Sequence, residues 1–453
     1  MADDIRALSG LRDLEHHLRG PEIPDGSPAG QLALSVILPG LASIRRVPII
    51  GVLAFAAGVA LPVVLAAWFF VNRDRLIGIA LDERFLLAVA GVGLLGVVAR
   101  FVSIAEIAHA YRRSPGIGGQ TAVATIVVAA LSVPVLLVAY RANDARSVVA
   151  DVFGSGSGAP VFSPQGETSG IDPEAVTNIL LLGGDAGPGR WGMRTDTMIL
   201  VTIHEASGRT ALVSIPRNLT RLRFPPGTPL AERFPDGFDD LANAVFTYVN
   251  GRPELVEHYG ADGLQPEAVA LSGGIGYSLD VEIDDFALVN MAGFSDVIDA
   301  IGGVTLDLAQ SVPLPPDPEG RPLPPSIGPG VVDMDGALAT AYARSRSADS
   351  DYERMGRQRQ LLAALGSQVS ATEALSAFGA VTGVLDDSMR TSLSAGEFGD
   401  LLDRLGDNSA IQESVGLTPP LINPGSPDWA QIRSIIDAVQ LAVVSGSPSG
   451  YSN

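Results

Sequence analysis

From Val47 to Val71 the chain reads VPIIGVLAFAAGVALPVVLAAWFFV, 25 residues without a charge. As a helix rising about 1.5 Å per residue, such a run crosses the hydrocarbon core of a bilayer, about 30 Å thick. Its polar neighbours are therefore divided between two sides of a membrane. A second uncharged run covers Thr121–Tyr140, just long enough to span. A third, Phe85–Ala105, is interrupted by Arg100, which lies off-centre and is expected to snorkel to the near interface. Gln31–Ser43 is apolar but short and broken by Pro39-Gly40, so an interfacial placement is expected.

The flanking charges set the expected orientation. Arg45 and Arg46 precede the first span, and Arg112 and Arg113 separate the second from the third. Arg73, Arg75 and Arg84, between the first and second spans, are offset by Asp74, Asp82 and Glu83. By the positive-inside rule the N-terminus is cytoplasmic, and everything beyond Tyr140 lies outside. Residues 1–30 are polar and show no cleavable signal pattern. The expected protein sits in the plasma membrane with several passes. Residues 1–46 form a cytoplasmic or interfacial segment and 47–140 a membrane region with spans near 47–71, 85–105 and 121–140. A flexible linker covers 141–175, around FGSGSGAPVFSPQGETSG, and an extracytoplasmic domain covers 176–453.

That domain is strongly acidic. Residues 1–150 hold 13 arginines and 11 acids, whereas 151–453 hold 17 arginines and 39 acids, a balance of −22. No nucleic-acid partner is expected, because neutralising phosphates needs a basic face. The chain has no cysteine, which excludes disulfides, thiol nucleophiles and thiolate metal sites. It also has no lysine, so a nucleotide-binding P-loop is excluded. Gly187-Pro-Gly189-Arg-Trp-Gly192 matches G-x-G-x-x-G literally, but a second strand follows where a dinucleotide fold requires a helix.

Apolar periodicity beyond the linker predicts an α/β domain. Strands are expected at Asn178–Leu182, Met198–Ile203, Thr210–Ser214 and Phe286–Asn290, and helices at Met291–Ile301, Met355–Val369 and Ile432–Val443. Residues 313–329 hold eight prolines and are expected to form an irregular surface loop.

Asp185 ends the first strand and Asp196 begins the second, so neighbouring strands bring both carboxylates to one sheet edge. Such a pair either holds a hard cation with a substrate phosphate or merely caps turns. Arginines gather in the same places: Arg190 and Arg194 in the loop, Arg217 in VSIPRN, Arg344 and Arg346 in AYARSR, and Arg354, Arg357 and Arg359 in DYERMGRQRQ. Guanidinium forks suit bidentate phosphate recognition. Carboxylates among clustered arginines describe a metal-bound pyrophosphate site, with scattered surface ion pairs as the alternative. The five histidines form no metal-ligand pair, and His204 reads as a turn residue.

The runs NILLLGGDA, RTDTMILVTI, LVSIPRN, FALVNMAGFSDVIDAIGGVTLDL, DGALATAYARSR and DYERMGRQRQ, in this order over about 178–365, resemble the LytR-CpsA-Psr (LCP) family of cell-envelope proteins. The resemblance implies an LCP-type central mixed sheet flanked by helices, behind a membrane anchor. It also implies a phosphotransferase that moves a glycopolymer from a polyprenyl-pyrophosphate carrier to peptidoglycan, leaving a phosphodiester link. By the same resemblance Asp185 and Asp196 hold Mg²⁺ (or Mn²⁺), and Arg194, Arg217, Arg344 and Arg346 bind phosphate. Asp351, Arg357 and Gln358 carry the last motif, with Gln360 the competing glutamine. Catalytic roles fall on Asp185, Asp196, Arg217 and Asp351, with the acceptor's proton going to Asp196 or Asp351.

Departures are Gly187, where the family often has an arginine that Arg190 would replace, Asn218 for an aspartate, and three spans for the usual one. The lysine-free, Ala/Gly/Arg-rich composition resembles actinobacterial proteins, so the polymer is expected to be of arabinogalactan type or another secondary polysaccharide. A hydrolase acting on the same lipid carrier, and a non-catalytic lipid-binding regulator or scaffold, are the alternative readings.

Overall fold

The computed structural model describes residues 27–44, 46–71, 83–153, 159–164, 172, 175–184, 195–317, 320–346, 350–369, 388–405 and 411–452. They fall into two compact units. One holds the described residues of 27–71 and 84–144, the other residue 83 and the described residues from 145 onward.

In the first unit, α1 (Pro28–Ile37) is started by Ser27, whose Oγ accepts from Gly30 N at 3.2 Å, with Pro28 at the first helical position. Three further helices follow: α2 (Pro48–Val71), α3 (Glu83–Ala110) and α4 (Ile117–Val152). Within them Pro48–Val71, Arg84–Ala110 and Ile117–Leu137 are each long and apolar enough to cross a membrane. Gly58 lets α2 approach the turn after α1, since a Cβ there would fall 2.2 Å from Pro39 Cγ. Arg100 bonds to two backbone carbonyls. Its Nε donates to Val36 O at 3.1 Å and its Nη1 to Gly96 O at 2.9 Å, so the guanidinium satisfies carbonyls at the end of α1 and along its own helix.

Two expectations need correction. The linker does not begin at 141, because α4 continues to Val152. Arg141–Val152 contains neither glycine nor proline, and chain-breaking residues begin only at Gly154. Near the linker's middle, Phe162 exchanges backbone hydrogen bonds with Ile283 at 3.0 and 2.9 Å. Nor is 313–329 merely a surface loop. Its base is closed by the pair β6 (Val312–Pro313) and β7 (Ser326–Ile327), and the buried Asp317 carboxylate accepts from Arg321 N, Nε and Nη2.

The second unit is built on a six-stranded mixed sheet of order β10-β3-β2-β1-β4-β9. Its strands are β1 (Val176–Gly184), β2 (Thr195–His204), β3 (Thr210–Ser214), β4 (Asp285–Asn290), β9 (Met389–Thr391) and β10 (Ile411–Gly416). β1 and β4 run parallel, as do β3 and β10, and β2 is antiparallel to both β1 and β3. The carboxyl ends of β1, β3 and β4 and the start of β2 therefore lie at one edge, where ligands of open α/β sheets bind.

One sheet face presents Leu180, Leu200, Val213 and Phe286 to a core shared with α6 (Ala244–Asn250), α8 (Pro266–Leu279) and α13 (Trp429–Ser445). Short helices α5 (Pro229–Arg233) and α7 (Pro253–Tyr259) border this layer. The other face presents Ile179 and Ile203 to α12 (Ala395–Leu405) through Leu401 and Phe398. Farther along that face sit α9 (Met291–Ala300), α10 (Gly336–Arg344) and α11 (Asp351–Gln368), with the ribbon β5 (Val304–Leu308)–β8 (Gly330–Met334). α10 approaches α9 so closely that a Cβ at Gly336 would lie 2.1 Å from Ser295 O.

At the entry to β4, burial pushes the Asp284 carboxyl up to about 7, aided by Glu282 and Asp285, despite the bond that Asn178 N donates to it at 2.7 Å. Such a group binds more protons folded than unfolded, so stability rises as pH falls from about 7 toward the unfolded value near 4. Asp284→Asn should therefore raise Tm at pH 8 by about 2–4 °C, the effect of about 1 kcal/mol in a domain of this size. The gain should shrink as the pH falls to 5. Thermal unfolding of the full chain at several pH values checks this, and a pH-independent difference would contradict it.

Candidate functional site: an apolar cavity with a charged rim

Sheet topology brings the charged groups together. The β1–β2 ladder pairs Gly183 with Thr197 but Gly184 with Thr195, so Asp196 is the extra residue of a bulge. A bulge re-aims its side chain, here toward the sheet edge. Arg217 lies three residues beyond β3 at the same edge. Its Nη1 donates to Asp196 Oδ1 at 2.7 Å and its Nε to Asp351 Oδ2 at 3.0 Å. Arg346 Nη2 donates to Asp196 Oδ2 at 2.9 Å, and its Nε lies 3.7 Å from Asp351 Oδ1. Arg354 Nε donates to Asp351 Oδ1 at 3.1 Å and its Nη2 to the Asp196 carbonyl at 2.9 Å.

This network edges a cavity of about 640 Å³. The sheet supplies its floor with Leu181, Ile199, Ala287 and Val289, and α9 and α11 add Phe294, Leu361 and Leu362. Asp196, Arg344, Arg346, Arg354 and Gln358 are its polar lining toward the rim. Arg344 Nη1 is buried and has no partner among the described residues. The cavity is thus apolar along most of its lining and densely charged at one end.

The charges regulate one another. Burial opposes ionisation of Asp196, but the hydrogen bond and charge of Arg217, with the charges of Arg354 and Arg346, outweigh it and hold the carboxyl below its usual range. Arg217 is held more firmly protonated by Asp196 and Asp351 than burial alone would allow. Arg354, only 3% exposed at its side chain, is pulled the other way, chiefly by burial.

Of the residues singled out in the sequence, Asp185, Arg190 and Arg194 lie outside the described residues. Asp196, Arg217, Arg346 and Asp351 meet in one network, and Arg344 and Gln358 line the cavity. Arg357 is not among the residues that line the cavity; its Nη2 donates to Ser345 O at 2.6 Å, between Arg344 and Arg346. Gln360 is occupied elsewhere, accepting from Tyr342 Oη at 2.7 Å. Arg354 was not among the residues the sequence assigned to the site. Its spacing, three after Asp351 and four before Gln358, puts it on the same helix face and was the available signal. Asn243, whose Nδ2 lies 3.5 Å from Asp196 Oδ1, carried no such signal.

The donor chemistry fits a hard divalent cation under one condition. Asp196 offers an ionised carboxylate whose Oδ1 accepts from Arg217 and, at 3.5 Å, from Asn243, and whose Oδ2 accepts from Arg346, which leaves acceptor capacity on Oδ2. Three arginines contact this residue and would repel a bare cation, so the set suits one that arrives on a diphosphate. Among the described residues no cluster of three His, Asp or Glu side chains forms a cation cage.

The LytR_cpsA_psr family model matches residues 161–416, and the chain belongs to that family. It is 26% identical over 251 residues to Biofilm regulatory protein A of Streptococcus mutans, covering 53% of this chain and 56% of that protein. Several relatives are named polyisoprenyl-teichoic acid–peptidoglycan teichoic acid transferase TagU, two of them as follows. That of Bacillus licheniformis is 26% identical, covering 51% of this chain and 64% of its own length. That of Oceanobacillus iheyensis is 30% identical, covering 50% and 62%. The chain thus spans 56–64% of the length of these curated relatives. Among solved structures, Bacillus subtilis TagV aligns at 21% identity and a TM-score of 0.43, over 62% of this chain and 100% of that one.

Arg354→Met should remove two charge-assisted hydrogen bonds from a buried position and cost about 1–3 kcal/mol. Chemical denaturation of the full chain measures this, and a change below about 0.5 kcal/mol would show that the network does not depend on Arg354.

Proposed function

We propose that the protein is a membrane-anchored phosphotransferase that moves a glycopolymer from a polyprenyl-diphosphate carrier to a sugar hydroxyl of peptidoglycan, forming a phosphodiester. The observation that carries this reading is the joining of an apolar cavity of about 640 Å³ to a rim of four arginines and two aspartates. A prenyl tail suits the cavity, and a diphosphate suits the rim. The names of the TagU relatives support the same class of reaction. The three apolar helices support anchoring, and the arginines flanking them favour an extracytoplasmic site.

In this reading Arg217, Arg344, Arg346 and Arg354 bind the phosphate oxygens, with Arg190 and Arg194 as further candidates. Asp196, with Asp185, holds Mg²⁺ (or Mn²⁺), which neutralises charge on the diphosphate when bound. The acceptor hydroxyl attacks the glycan-proximal phosphorus in line, and a new P–O bond forms. The bond to the bridging oxygen breaks, and polyprenyl phosphate leaves with the bonding electron pair. The hydroxyl proton goes to Asp196 or Asp351, the two carboxylates at the rim. Phosphoryl transfer of this kind relies on positioning and charge neutralisation, and one arginine can supply on the order of 10³-fold in rate. The lysine-free composition favours a polymer of arabinogalactan type or another secondary polysaccharide.

The test uses the full chain in detergent micelles with a short-chain prenyl-diphosphate disaccharide, Mg²⁺ and peptidoglycan fragments, read by mass spectrometry. A phosphodiester-linked product is expected, falling at least 100-fold in Asp196→Ala and Arg346→Ala. Released sugar phosphate without linkage would make the protein a hydrolase. Binding without turnover across several acceptors would make it a lipid-binding regulator.

A further inference from the structure

Arg344 and Arg346 stand on either side of Ser345, and this one residue is tied in three directions. Its N–H donates to Tyr342 O at 3.2 Å, its hydroxyl to Pro313 O at 2.5 Å, and its carbonyl accepts from Arg357 Nη2 at 2.6 Å. Ser345 is 1% exposed and Arg357 8% exposed, so water competes with none of these bonds. Ser345 is extended, with φ −55° and ψ 131°, and closes α10. In an extended segment residues two apart point to one side, which brings Arg344 and Arg346 to the same site.

α10 therefore ends at the rim, with its carbonyl end toward the place proposed for a diphosphate. A helix C-terminus carries about half a negative charge and repels an anion. α11 answers that end twice: the Arg357 guanidinium holds Ser345 O, and Gln358 Nε2 lies 3.4 Å from Ala343 O. Arg357 thus brings a full positive charge to the end of α10 from beneath, where solvent does not screen it.

Resting on the reading above, we infer that Arg357 and Ser345 are positioning residues of the anion site. Arg357 cancels the negative end of α10 and fixes the backbone of the Arg-Ser-Arg segment, and Ser345 fastens that segment to the proline-rich loop. Neither touches substrate. Both act through Arg344 and Arg346, and the same loop contributes Pro315 to the cavity lining. The pair makes the site selective for a charged head group over an uncharged one on the same tail.

The experiment measures binding of geranyl diphosphate with Mg²⁺, and of geraniol, to the full chain in detergent micelles. Arg357→Gln keeps an N–H donor but loses the charge, Arg357→Lys keeps the charge but loses the planar fork, and Ser345→Ala loses the tie to Pro313. Arg357→Gln should weaken diphosphate binding about 5–30-fold, the range for a cation at a partly buried helix C-terminus, with geraniol unchanged. Arg357→Lys should stay within about threefold of wild type, and Ser345→Ala should lose about 3–10-fold for the diphosphate alone. Equal losses for both ligands, or none in Arg357→Gln, would reduce the pair to a structural cap and overturn the inference. A wild type that does not prefer the diphosphate to the alcohol would overturn the functional reading first, and this inference with it.

Discussion

Four guanidinium groups cannot crowd the mouth of an apolar cavity without counter-charge. Asp196 and Asp351 supply it. Each carboxylate accepts from two arginine side chains, and Arg354 adds a bond to the Asp196 backbone. This cross-linking joins elements far apart in sequence: the start of β2, the loop after β3, the segment after α10 and the first turn of α11. The fold must therefore assemble before the rim exists, and the rim in turn ties α11 to the sheet edge. Its balance still leaves excess positive charge, which disposes it toward an anion with more than one negative charge.

In a chain without lysine, arginine performs every cationic task, and its placements divide sharply. Several arginines close helix ends. Arg209 donates to Val443 O and Val444 O at the end of α13, Arg433 to Ser278 O and Tyr277 O at the end of α8, and Arg100 to Val36 O at the end of α1. Others bond to side chains away from the rim, as Arg321 does to Asp317 and Arg359 to Ser414. Arg217, Arg344, Arg346 and Arg354, by contrast, share one rim. The contrast is physical: an arginine at a helix end meets a partial negative charge, whereas those at the rim meet full ones that a phosphate can replace.

Much of this was legible in the sequence, where strong periodicity or spacing carried it. β1, β2, β3 and β4 were visible because their apolar runs are buried on both faces, and the apolar helices because a run of 25 uncharged residues is long enough to cross a bilayer. β9 and β10 were not, because Met-Arg-Thr is too short and Ile-Gln-Glu-Ser too polar to resemble a strand without its neighbours. At the site, Asp196 and Arg217 followed from strand ends, but Arg354 required knowing which face of α11 meets the sheet. Arg357, expected at the phosphates, bonds to the backbone carbonyl of Ser345 between two rim arginines, a placement that spacing within the motif does not give. The linker was read as starting too early because a helix can continue past the last apolar residue whenever no glycine or proline stops it.

The bulge at Asp196 has a consequence for how such a protein can diversify. Its position is set by ladder pairs on both sides, Gly183 with Thr197 and Gly184 with Thr195. Substitutions in β1 and β2 that preserve those pairs leave the carboxylate in place. A slip of one residue would turn every side chain of β2 to the opposite face and take Asp196 away from Arg217 and Arg346, so the register is as constrained as the charged residues themselves.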